Sequence, residues 1–168
     1  MVAVRIEKKP AFTVAGRKRW IGGQDNEQFG VFWSEAKENG LISALHAQSG
    51  GKPGTVTGAY VFGVSRVEKD PACREFFFYI TAETESRTVD SALETFTIPA
   101  CTWAIFSGHG ELPDCLIEAE MYAWTKWLPE SRCMHDFAPE LEVYPAADGQ
   151  AAEYWLPILP RNAEAQGG

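Results

Sequence analysis

A chain of 168 residues, 45% of them apolar, lies in the single-domain range and can bury a core without disulfide or metal staples. Its 23 acidic against 15 basic side chains give a formal charge of −8, which excludes a broad phosphate-binding face and disfavours nucleic acid as a direct partner. The scattered cysteines, Cys73, Cys101, Cys115 and Cys133, show neither C-x-x-C spacing nor paired histidines, so no metal site, redox motif or cofactor is expected and the thiols read as small core residues.

The opening M-V-A-V-R-I-E-K-K-P carries no apolar targeting region, and no stretch approaches the length that spans a bilayer. A cytoplasmic protein without a membrane partner is expected. Ala3 to Glu7 alternates apolar and polar, kinks at Pro10, and continues as strand material through F-T-V-A-G to Trp20, with Arg17, Lys18 and Arg19 forming a solvated strand end. Gly22 and Gly23 end it. Asp25 with Gln28 three residues on has the form of a capping box, opening a helix whose apolar face is Phe29, Phe32, Trp33 and Ala36 and whose stop is Asn39-Gly40. Leu41 to Thr57 reads as loop, with a short helical turn accommodated in L-I-S-A-L. Ala59–Ser65 and Arg74–Ala82 then form a strand pair, the second apolar on both faces from Phe76 to Ile80 and therefore central.

A polar, acidic linker, Glu83 to Asp90, leads into a second half that echoes the first. P-A-F-T-V-A at Pro10 reappears as P-A-C-T-W-A at Pro99, followed again by a glycine turn, a helix and two strands. The second helix opens near Pro113 and stops at Pro129, with Ile117, Met121, Trp124 and Leu128 as its buried stripe. E-L-E-V-Y-P and Y-W-L-P-I complete the second pair. The expected fold is α+β: duplicated strand-helix-strand-strand units, residues 3–82 and 92–159, related by approximate two-fold symmetry, with antiparallel sheets, one main helix per unit and a central ligand cleft between the units. Residues 1–160 form one domain, and 161–168 read as a disordered tail.

Within that fold Glu142 is the odd residue. Leu141 and Val143 alternate with Glu142 and Tyr144, so a strand there turns two apolar residues one way and a carboxylate with an aromatic the other. An acid among large rings suits a cationic or flat ligand, whereas the plainer alternative is a carboxylate on a solvated strand face. A tight turn would bring Trp155 level with Tyr144. Trp103, on the strand after Pro99, either lines the cleft or packs under a helix. Trp33 and Trp124 hold matched places on the two helices, and with Met121 divide between core and ligand wall. Tyr60 rather than Phe62 faces the cleft from the first unit. His46, His109 and His135 lack metal-ligand spacing, and Glu118 and Glu120 are assigned to the solvated side of their helix.

The order of these elements, the helix ending in W-T-K-W-L-P-E-S, and the following P-E-L-E-V-Y-P and E-Y-W-L-P-I resemble the GyrI-like small-molecule-binding domain from Val4 to Ile158. That family includes the DNA gyrase inhibitory protein and the effector domains of AraC-type and MerR-type multidrug regulators. The resemblance implies a duplicated fold whose cleft holds hydrophobic, often cationic or planar compounds against a buried glutamate, which falls here on Glu142, with Tyr144 as the aromatic after it. No helix-turn-helix precedes Val4, so the stand-alone form is expected, acting as a sensor or sequestering protein for multidrug-type ligands. Some stand-alone relatives open cyclopropane rings of genotoxic compounds; in that alternative Glu142 is the general base and Tyr144 the proton donor. A third alternative is a protein partner, as in gyrase inhibition.

Overall fold

The computed structural model describes residues 2–22 and 27–161. In chain order the elements are β1 (Ala3–Lys9), β2 (Phe12–Ile21), α1 (Glu27–Glu38), α2 (Leu41–Gln48), β3 (Phe62–Ser65), β4 (Phe76–Glu83), β5 (Glu94–Ile98), β6 (Cys101–His109), α3 (Asp114–Tyr122), a π-helical turn (Ala123–Trp127), α4 (Leu128–Glu130), β7 (Cys133–His135), β8 (Glu140–Val143) and β9 (Ala151–Pro160). The fold is α+β, and its strands form one antiparallel sheet in the order β1-β6-β9-β8-β3-β4-β2-β5, with β7 also on β9.

Several local expectations are redrawn. Asp25 lies outside the described residues, but Gln28 clamps the end of β2, its Nε2 donating to the Gly22 carbonyl at 2.6 Å and its Oε1 accepting from the Gly22 N–H at 3.3 Å. L-I-S-A-L belongs to a full helix, α2, whose Leu41 and Leu45 are buried. The first strand of the first pair starts at Phe62 rather than Ala59. The second helix ends at Glu130, one residue past the expected stop at Pro129; proline has no N–H to give the carbonyl four residues back, and the turn before it widens to π geometry.

The two units are joined edge to edge through β3 and β8 rather than stacked as facing sheets. The duplication can be followed residue by residue. Lys9 pairs with Cys101 and Phe12 with Ile98, so β1, which leads into β2, adds to the edge of the second unit, while β5, which leads into β6, adds to the edge of the first in the matching register. The hairpins correspond likewise: Phe62 opposite Thr81 matches Leu141 opposite Trp155, and Gly63 therefore matches Glu142. Gly63 and Glu142 also face each other across the β3–β8 pairing, which places the pseudo-two-fold axis between them.

Burial follows strand parity. On one face α1 and α2 cover Ile21, Phe76, Phe78 and Ile80, and α3 covers Ala104, Phe106, Tyr154 and Leu156. The opposite face gathers Val14, Phe62, Val64, Trp103, Leu141, Val143 and Trp155 into a third cluster. At about 25 cal/mol per Å² these clusters are the main stabilising term.

A methyl group on Gly63 would lie 2.4 Å from Phe78 Cζ and 2.5 Å from Glu142 Cγ. Mid-strand glycine otherwise costs about 0.5–1 kcal/mol relative to alanine, so in open space Gly63→Ala would stabilise. We expect it instead to destabilise the fold by ~1–3 kcal/mol through overpacking, measured by urea denaturation.

Candidate functional site

A cleft of about 570 Å³ opens on the helix-covered face, between α1 and α3 and over the middle strands. Phe29 and Trp33 of α1 form one wall, and Leu116, Ile117 and Met121 of α3 the other. Phe76, Tyr144 and Tyr154 extend the apolar lining, while Glu140 and Glu142 reach it from β8. The pleat explains this division: Glu140, Glu142 and Tyr144 lean toward the helices and Leu141 and Val143 away, into the opposite core.

Glu142 is held rather than free. Its Oε1 accepts the Trp33 indole N–H at 3.0 Å and the Tyr144 hydroxyl at 3.0 Å. The Trp33 and Tyr144 rings meet edge to face, with centroids 5.6 Å apart, so the two donors brace each other. Among the described residues none donates to Oε2, and that oxygen is not sealed from the cleft. Burial among rings pushes the Glu142 carboxyl up to about 7; the two hydrogen bonds pull the other way, and the charge of Glu120 adds to the rise. Burial, with the neighbouring carboxylate, also raises the Tyr144 hydroxyl far above its usual range, so it remains a donor.

Beside this pair lies a second acid, Glu140, only 1% exposed. It takes a 2.5 Å bond from the Tyr154 hydroxyl, one of 3.0 Å with His135 Nε2 and one of 3.2 Å from the Arg74 guanidinium. Burial opposes its charge, but His135, Arg74 and Tyr154 together hold its carboxyl below the ordinary value. Arg74 also meets Glu120 at 3.2 Å. Burial and the proximity of Glu140 push Glu120 up to about 7 against the pull of Arg74; its side chain stays 40% accessible through the cleft mouth, so water screens part of that effect. Arg74 is the one basic residue of the described lining and is committed to Glu140 and Glu120. Negative potential therefore prevails in the cleft.

The structure brings Glu142, Tyr144, Trp33 and Met121 together in the lining. Trp124 stands behind it, its indole N–H giving a 2.8 Å bond to the Tyr154 hydroxyl. Trp103 and Trp155 do not reach the cleft. They are buried against each other on the opposite face, with centroids 5.6 Å apart, because Trp155 pairs with Leu141 and shares its side of the sheet. Tyr154, one residue earlier, takes the place expected of Trp155. Tyr60 lies outside the cleft, 38% exposed beside the His46 ring. Two further assignments change: Glu120 lines the cleft, and the stripe Ile117–Met121 faces it while Cys115, Ala119 and Ala123 fill the core. Sequence reasoning missed Glu140, Arg74, Tyr154 and His135. Glu140 alone left a sign, sharing the strand parity of Glu142; the others come from separate segments.

Among the described residues no group of side chains is arranged to hold a metal ion, and no helix is long and apolar enough to cross a membrane.

The same fold recurs in solved structures. SAV2435 bound to tetraphenylphosphonium is 16% identical, with a TM-score of 0.76 over 94% of each chain. The C-terminal domain of EcmrR is 14% identical, at a TM-score of 0.64 over 95% of this chain and 99% of that one. An integron cassette protein from the mobile metagenome of Vibrio cholerae is 16% identical, at 0.61 over 93% and 95%. No curated protein matches the chain. At these identities the structures speak for the GyrI-like fold alone. The family model described as integron-associated effector binding protein, however, matches residues 5–158, and the chain belongs to that family.

Proposed function

We propose that this protein binds amphipathic aromatic cations in the cleft between α1 and α3 and acts as a sensor or sequestering protein for them. The observation that carries this is the Glu142 carboxylate, fixed by Trp33 and Tyr144 in a ring-lined cleft. In such a setting a cation gains both from the carboxylate and from the faces of the rings, neither of which is well screened. A ligand of this chemistry occupies SAV2435, which shares the fold. Binding is favoured over ring-opening hydrolysis because Tyr144 spends its hydroxyl proton on Glu142 itself, which leaves it badly placed to protonate a leaving oxygen elsewhere.

The test is titration with tetraphenylphosphonium at several pH values, followed by the fluorescence of the tryptophans. In the free protein the Glu142 and Glu120 carboxyls lose their protons near pH 7, and a bound cation favours the charged forms. Below pH 7 binding must therefore expel protons. Affinity is expected to rise with pH between roughly 5.5 and 7, by up to about tenfold per unit for one proton released, and to level off above. No saturable binding at pH 8, or tighter binding at pH 5.5, would defeat the reading.

A further inference from the structure

The bonding of Glu142 says more about the ligand than its charge, granted that the cleft is an effector site. Both protein donors, the Trp33 indole and the Tyr144 hydroxyl, fall on Oε1. Oε2 receives none among the described residues, yet it is open to the cleft rather than buried without a partner. In the empty protein, water can serve that oxygen. A ligand large enough to fill an apolar space of about 570 Å³ displaces the water, and the lone pairs of Oε2 must then be met by the ligand. Among the described lining residues the Arg74 guanidinium is spent on Glu140, Glu120 and the Pro71 carbonyl, the Tyr154 hydroxyl donates to Glu140, and Ser65 stands across the β3–β8 pairing from Glu140 rather than from Glu142.

We propose that the preferred ligand class is an aromatic base carrying an N–H on its cationic nitrogen, a protonated amine or amidine that donates to Glu142 Oε2, rather than a quaternary onium. A quaternary ion satisfies the charge but presents only C–H to a desiccated carboxylate oxygen. A protonated amine satisfies both through a charge-assisted hydrogen bond, the stronger kind. The other charged or titratable groups of the described lining are Glu27 from α1, Glu120 from α3, Arg74 ahead of β4, Glu140 on β8, Tyr144 after it and Tyr154 on β9. None of them competes for Oε2.

The test compares biphenylmethyl-dimethylamine, protonated at pH 8, with its trimethylammonium salt by calorimetric titration, using tetraphenylphosphonium as the probe of the cleft itself. We expect the protonated amine to bind wild type at least tenfold more tightly than the quaternary salt. In Glu142→Gln, whose amide keeps an oxygen for Trp33 and Tyr144 but turns an N–H₂ toward the cleft, the preference should fall below threefold. Equal or tighter binding of the quaternary salt to wild type overturns the inference while leaving the cation-binding reading intact, as does an undiminished preference in the variant. Failure of all three compounds to bind removes the cation-binding reading and this inference with it.

Discussion

Glu142→Gln is expected to weaken binding of an aromatic cation at pH 8 by at least tenfold and, at the same pH, to raise the melting temperature of the ligand-free protein. The first effect is loss of the carboxylate that Trp33 and Tyr144 brace toward the cleft, worth ~1–3 kcal/mol in a site poorly screened by water. The second follows from the sign of its titration. The Glu142 carboxyl is pushed up to about 7 from an ordinary 4.5, so the unfolded chain ionises first as pH rises. The native state then loses stability from about pH 4.5 upward, and the loss is complete above pH 7; the full shift corresponds to roughly 3 kcal/mol, reduced to ~1–3 by water in the open cleft. Glutamine keeps the oxygen acceptor and carries no such charge. Calorimetric melting should therefore show near-equal stabilities at pH 4.5 and a more stable variant at pH 8. A variant that is less stable at pH 8, or one that binds the cation as wild type does, would remove Glu142 from its assigned role.

Arg74→Met is expected to have the opposite character, costing ~3–5 kcal/mol of stability near neutral pH. Glu140 is 1% exposed, and Arg74 is the permanent positive charge against it. Without the guanidinium, His135 and Tyr154 still bond the carboxylate, but the buried charge lacks its counter-ion. In wild type the lowered Glu140 carboxyl contributes stability that is present above its unfolded value and is lost as pH falls through the folded one. The gap between variant and wild type should thus be widest near pH 7–8 and should narrow in acid, where Glu140 takes up a proton. Adding Glu140→Gln to Arg74→Met should restore most of the loss, the coupling signature of a buried pair. A loss below ~1 kcal/mol by denaturant titration, or an additive double variant, would show that the pair is not coupled.

Glu142 and Tyr144 were legible because strand alternation depends on nothing beyond the neighbouring residues. Trp155 went to the wrong face for a related reason: parity within β9 is local, but its phase is set by register against β8, and the longer connection between them pairs Trp155 with Leu141. The stripe through Ile117 and Met121 was a true helical period, read as core because a helix facing a ligand cleft and one facing a core leave the same apolar trace. Arg74 escaped notice since its partner, Glu140, lies on another strand and no local pattern announces an ion pair. The joining of the two units through β3 and β8 rests on main-chain hydrogen bonds, which have no sequence signature at all.

The position of Glu142 beside the pseudo-two-fold axis sets a limit on how such a site can arise. Two identical halves meeting there would each place a carboxylate at one spot, where their side chains would collide and their charges repel. Joining the halves in one chain frees each to carry a different residue: here the second supplies the acid, and the first recedes to the bare backbone of Gly63. The exchange of β1 and β5 between units keeps the halves from parting, since each borrows an edge strand from the other. A cleft with one acid at its centre is thereby made from a nearly symmetric body by breaking the symmetry at one residue.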